Sequence, residues 1–250
     1  MRRMDTTPKA VLITGCSTGI GRATAERLAR SGHTVYATAR RLEAVEDLKA
    51  AGAKTLSLDV TDEESMRAAV TAVEEDEGAV GVLVNNAGYS QSGAVETIAL
   101  DDVRRQFETN VFGLLRMCQL VLPGMRRLGQ GRIVNVSSMG GKLTFPGGGI
   151  YHATKHAVEA MSDAMRFEVK GFGIDVVVIE PGLIKTSFAE TALGSVSHED
   201  GPYAEFNTAV SAATAGAYDG PFGKLGGGPR PWPRRSRRPS TPSARGRGIR

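Results

Sequence analysis

Tyr151 and Lys155 stand four residues apart in Tyr151-His152-Ala153-Thr154-Lys155, and on a helix that spacing sets both side chains on one face. A phenol ordinarily titrates near a pKa of about 10. A neighbouring ammonium favours the phenolate and brings it toward the range useful for acid/base catalysis. Packing pairs on ordinary helices share this spacing, so the pair acquires meaning only in company. Ser137-Ser138 closes an apolar run over 132–136 and would set a hydroxyl at a strand end, where turn and cap serines also occur. Asn110 lies inside a helical segment, Thr109-Asn110-Val111-Phe112-Gly113, that does not favour Asn. A buried polar bond or a bend would account for it.

A second group of residues suits a phosphate-rich ligand. Thr14-Gly15-Cys16-Ser17-Thr18-Gly19-Ile20-Gly21 follows an apolar run and opens a helical pattern. A pyrophosphate needs close backbone approach, a tight turn and the amides of a helix N-terminus, and three glycines in this frame supply them. Glycine-rich turns also form for conformational reasons alone. At the end of the next apolar run, where an acid would grip the ribose hydroxyls of NAD, the chain reads Ala37-Thr38-Ala39-Arg40-Arg41. A guanidinium there suits a 2′-phosphate, so NADP(H) is the expected cofactor. Two solvated charges opening the next helix would look the same.

The elements that must position these residues alternate. Short β-branched or apolar runs occupy 10–13, 34–38, 55–58, 81–84, 132–136 and 175–179, and helical patterns occupy 20–30, 42–51, 62–77, 101–127 and 151–170. Several runs are apolar without alternation, as expected of strands covered on both faces. The pattern predicts an α/β fold of the Rossmann type, a doubly wound parallel sheet with helices on both faces, with six clear strands and a doubtful seventh. Ligands bind such sheets at the carboxyl ends of the strands. Beyond residue 190 the pattern weakens to one short helix over 204–217.

Together these features resemble the short-chain dehydrogenase/reductase family from residue 10 to about 188. The resemblance rests on the glycine motif at 14–21, Asp59-Val60, Asn85-Asn86-Ala87-Gly88, Asn110, Ser138, Tyr151 with Lys155, and Pro181-Gly182 with Thr186. It is closest in pattern to hydroxysteroid and retinol dehydrogenase-like members. It implies a hydride transfer between NADP(H) and a carbonyl or secondary alcohol, with Tyr151 as general acid/base, Ser138 holding the substrate oxygen, Lys155 on the nicotinamide ribose and Asn110 in a proton relay. Ser138 is preferred to Ser137 because the family's serine precedes its tyrosine by thirteen residues. The cofactor would be held by Gly15, Ser17, Thr18, Gly19, Ile20, Gly21, Arg40, Asp59, Val60, Asn86, Ala87, Gly88, Tyr151, Lys155, Pro181, Gly182, Ile184 and Thr186. A catalytically inactive NADP(H)-binding sensor or scaffold of the same fold is the alternative.

Composition sets further bounds. The chain has 250 residues, 41% hydrophobic and 23% charged, which suits a globular protein. Its net charge of +4 arises from eight arginines after Gly228; residues 1–228 hold 23 basic and 27 acidic groups, a net of −4. A nucleic-acid partner is therefore not expected. Cys16 and Cys118 are too few and too far apart for a disulfide framework or a metal site. No stretch suits a membrane span or secretory leader, and a cytoplasmic location is expected. Residues 8–225 are read as one catalytic domain and 226–250 as a disordered basic tail. That tail stands where a seventh strand and an oligomer interface would follow, which leaves a homo-oligomer open. A small-molecule substrate of apolar character is expected between 90–94, 142–149 and 188–207, near Phe145, Phe188, Tyr203 and Phe206.

Overall fold

The computed structural model describes residues 10–184, 191–192, 194–196 and 201–219. Six strands form one sheet: β1 (Ala10–Ile13), β2 (Thr34–Ala39), β3 (Lys54–Ser57), β4 (Val82–Asn85), β5 (Gly131–Val136) and β6 (Ile174–Ile179). All are parallel, in the order β3-β2-β1-β4-β5-β6. Among the described residues there is no seventh strand. The order reverses between β1 and β4, so the chain leaves these adjacent strands toward opposite sides and a crevice opens at their carboxyl ends.

The helices are α1 (Gly19–Arg30), α2 (Glu63–Glu77), α3 (Leu100–Phe107), α4 (Leu114–Leu128), α5 (Gly149–Glu168) and α6 (Ala204–Asp219). Period-2 alternation in β1 sends Ala10 and Leu12 to one face and Val11 and Ile13 to the other. Leu12 packs in a core with Val70 and Val73 of α2, Met117 and Val121 of α4 and Val158 and Met165 of α5. Ile13 packs with Ala25 and Ala29 of α1 and with Val45 and Leu48 of the β2–β3 crossover. Fully burying such side chains contributes about 1.5–3 kcal/mol each.

Two expected helices take a different form. The segment read as a crossover helix over 42–51 is a pair of 3₁₀ turns, Leu42–Ala44 and Glu46–Ala51. Val45, which links the two turns, and Leu48 are both buried in the core beside α1. The segment expected as one helix over 101–127 is interrupted by a π-turn, Glu108–Gly113, between α3 and α4. The last helix is longer than expected and runs through Asp219. Asp62 starts α2 by accepting from the amides of Glu64 (2.8 Å) and Ser65 (3.1 Å).

Candidate active site

The glycine-rich loop rests on the end of β4. Thr14 Oγ1 accepts from the amides of Asn86 and Ala87, each at 3.0 Å, and Asn86 Nδ2 donates to the carbonyls of Thr14 and Gly15, each at 2.9 Å. Gly15 has φ +71°, and a Cβ there would lie 2.8 Å from Ala87 Cα, so both backbone angle and space demand glycine. A Cβ on Gly21 would collide with Asn86 Nδ2 and the Gly15 carbonyl. Thr18 stands at the N-cap of α1 without a side-chain capping bond, and the first turn holds no acid. A helix start so arranged, with Ser17 and Thr18 exposed and Gly19 and Ile20 partly so, suits an anionic ligand. Cys16 is buried in this loop, and burial pushes its thiol up to about 12, as it does that of Cys118. Neither thiol is a nucleophile in this state.

Beside the loop an open cleft of about 340 Å³ is lined by Ser17, Ala39, Arg40, Arg41 and Ala44. Arg40 and Arg41 are exposed and form no ion pair among the described residues. Their position at the end of β2 follows from the sheet, where the Leu58 amide donates to the Ala39 carbonyl at 2.9 Å. Val60 is buried against Gly113. Asp59 Oδ1 accepts from the Thr61 amide (2.9 Å) and hydroxyl (2.8 Å), which shapes the turn into α2. These fixtures, with the cradle that only glycines permit, fit a dinucleotide.

A second set converges from β5, α5 and the π-turn. Lys155 is 6% exposed; its Nζ donates to the Val136 carbonyl at 2.8 Å and lies 5.8 Å from the centre of the Tyr151 ring. Burial pushes this ammonium down to about 8, opposed by the negative charge of Glu159 one turn further along α5. Asn110 occupies the π-turn for a specific reason. Its Oδ1 accepts from the Tyr89 amide (3.1 Å), and its Nδ2 donates to the Tyr89 carbonyl (2.9 Å) and Thr154 Oγ1 (3.1 Å). Thr154 in turn donates to the Tyr151 carbonyl at 2.7 Å, which ties the π-turn to the start of α5. An added Cβ on Gly88 would sit 3.1 Å from Asn110 Oδ1 and 3.9 Å from Lys155 Nζ, so this glycine leaves space between the two polar groups.

Ser138 follows β5, and its Oγ accepts from the Gly140 amide at 3.0 Å. Its neighbour Ser137 points into the protein, 3% exposed. The Pro181 carbonyl accepts from the Met139 amide at 2.9 Å, so the chain after β6 is joined to the serine loop. Gly182 and Ile184 follow on that stretch, while Thr186 lies outside the described residues, as do Phe188 and 226–250.

The loops expected to contact a substrate meet one another. The Gly93 amide donates to the Gly147 carbonyl at 2.8 Å, the Ser92 amide donates to Ser195 Oγ at 2.8 Å, and Gly147 lies against Val210 of α6. Val95, Leu143 and Phe145 remain exposed around this junction, at 64, 53 and 45%. The sequence pattern does not mark Thr14, His152 and Thr154, because their importance lies in partners up to 73 residues away and in backbone groups that no motif names. A hydroxyl heading the glycine motif was the one available signal for Thr14.

The family model for short chain dehydrogenases matches residues 9–194. A 3-ketodihydrosphingosine reductase from Bacteroides thetaiotaomicron is 41% identical over 183 residues, 73% of this chain and 66% of that one. A short chain dehydrogenase/reductase from Burkholderia phymatum, solved with NAD, is similar with a TM-score of 0.74 and 26% identity, over 85% of this chain and 80% of that one. The closed form of a serine dehydrogenase with NADP+ is similar with a TM-score of 0.71 and 30% identity, over 86% and 90% of the two chains.

Proposed function

Since this chain belongs to the short-chain dehydrogenase family, we propose that it transfers a hydride between NADP(H) and a carbonyl or secondary alcohol, with Tyr151 as the proton-transfer residue. The observation that carries this reading is the meeting of Tyr151, Lys155 and Asn110 beside a glycine cradle at one edge of the sheet. The exposed Arg40 in the cleft beside Ser17 supports NADP(H) over NAD(H), since a 2′-phosphate would give the guanidinium a charge-assisted partner. Relatives with each cofactor occur among the similar structures, so the preference rests on this residue. Reduced, buried thiols agree with work in the cytoplasm.

When bound, the nicotinamide supplies or accepts the hydride. Ser138, whose Oγ already accepts the Gly140 amide, uses its O–H to hold the substrate oxygen. Tyr151 gives that oxygen its proton, or removes it in the reverse direction. Lys155 remains largely an ammonium at neutral pH, and its charge favours the Tyr151 phenolate. Asn110 and Lys155 flank the space at Gly88, where a water would join them in a proton path. Asp59, Val60, Asn86, Ala87, Pro181, Gly182, Ile184 and Thr186 complete the cofactor's contacts. The exposed Val95, Leu143 and Phe145 favour an apolar substrate.

Titration of the purified protein with NADPH and NADH, followed by turnover of a panel of apolar aldehydes, ketones and alcohols, tests this. Binding of NADPH about tenfold or more tighter than NADH is expected, with oxidation of NADPH by at least one carbonyl. Equal binding of the two would remove Arg40 from its role. Binding without turnover of any substrate would overturn the catalytic reading.

A further inference from the structure

His152 follows Tyr151 directly, and its side chain is buried between two stretches of one loop. The imidazole Nδ1 accepts from the Phe145 amide at 3.3 Å, and the Phe145 ring meets it edge-on with centres 5.7 Å apart. On either side stand Gly140 and Gly148: a Cβ added to the first would lie 2.5 Å from His152 Cδ2, and a Cβ added to the second 2.5 Å from His152 Cε1. The Tyr151 ring lies 5.8 Å away. The imidazole therefore fills a slot whose walls are glycines, and the loop it holds runs from Ser138 to the start of α5.

We propose that His152 is a positioning residue that, as a neutral imidazole protonated on Nε2, clamps the loop 139–148 onto the start of α5. The clamp fixes the Phe145 wall of the substrate site and the approach of Ser138 to Tyr151. This rests on the function proposed above. The tautomer follows from the bond, because a nitrogen that accepts an amide proton carries none of its own. Burial and the nearby His156, whose Nδ1 is 3.0 Å from the His152 carbonyl, both hold the imidazole below its ordinary pKa and keep it neutral. Gly140, Gly148 and Phe145, which face the ring from the loop, carry no charge. Such a clamp bears on the carbonyl substrate more than on the phosphates and adenosine of the dinucleotide, which the ends of β1 and β2 would hold. A catalytic geometry loosened by about 1 Å costs as much as a hundredfold in rate.

The test compares His152→Ala, His152→Asn and wild type, all loaded with NADPH. Asn places an amide oxygen near the position of Nδ1 and is the conservative replacement. His152→Ala is expected to raise the carbonyl KM and lower kcat, for a loss of about tenfold or more in kcat/KM, with NADPH affinity unchanged. His152→Asn is expected to recover most of that loss. Hydrogen exchange at the Phe145 amide supplies a readout besides activity: protection is lost in His152→Ala and kept in His152→Asn. Unchanged kinetics and unchanged Phe145 exchange in His152→Ala would overturn the clamp. So would equal impairment of both variants accompanied by weakened NADPH binding, which marks a general packing role. A wild type that turns over no carbonyl yet shows this exchange pattern would keep the clamp and refute the proposed reaction instead.

Discussion

Replacing Lys155 by Met should stabilise the unliganded protein at neutral pH, and the gain should shrink as the solution becomes alkaline. The ammonium is buried at 6% exposure, and its pKa falls from 10.5 to about 8. A difference of that size corresponds to roughly 3 kcal/mol against folding while the group is charged in both states. The sign follows from the direction. A cation whose folded pKa lies below its unfolded value binds fewer protons when folded, so its cost is fully present below about pH 8. The cost is relieved as pH rises toward 10.5, where the unfolded chain also gives up the proton. Between pH 7 and pH 9.5 the wild type should therefore gain about 2 kcal/mol relative to Lys155→Met. The variant also lacks the bond from Lys155 Nζ to the Val136 carbonyl at both pH values. The buried thiols of Cys16 and Cys118 destabilise both proteins equally above about pH 9. Urea unfolding of the two proteins at both pH values provides the measurement. A stability difference that stays constant, or widens, between them would refute a buried charged lysine.

Arg40→Asp should invert the cofactor preference: NADPH binding weakens by about ten- to a hundredfold as one charge-assisted contact is lost and a like charge gained, which parallel titrations with NADPH and NADH will read. Gly21→Ala forces a methyl into Asn86 and the Gly15 carbonyl, so a stability loss of about 1–3 kcal/mol and weaker NADPH binding are expected by thermal unfolding with and without cofactor. Asp62→Ala, at the N-cap of α2 away from the site, should cost about 1 kcal/mol and leave kcat unchanged, measured by urea unfolding and steady-state kinetics.

Much of this architecture is legible in the order of residues because periodicity and glycine placement are local signals. The apolar run at 10–13 is a central strand buried on both faces, the run at 175–179 is an edge strand that buries Val176 and exposes Asp175 and Val177, and the frame of Gly15, Gly19 and Gly21 marks the strand-to-helix turn. The π-turn at Asn110 is half legible: Asn in a helical segment predicts a bend or a buried bond, and the buried bond is present. What the pattern could not convey is that Thr154 receives that bond, 44 residues away. The 3₁₀ form of the crossover is not legible because Leu42-Glu43-Ala44-Val45-Glu46 suits a helix locally. Nor is the role of His152, since its partners are the Phe145 amide and two glycine walls.

In the reaction proposed above, Tyr151 moves the proton while hydride passes between NADP(H) and a carbonyl carbon. NADPH deuterated at C4 on the transferred face, incubated with a reducible ketone and either wild type or Tyr151→Phe, tests it most directly. The wild type should yield an alcohol with deuterium on the former carbonyl carbon, whereas Tyr151→Phe should still bind NADPH and form no labelled alcohol. Labelled alcohol at a near-normal rate from Tyr151→Phe would contradict the role given to this hydroxyl.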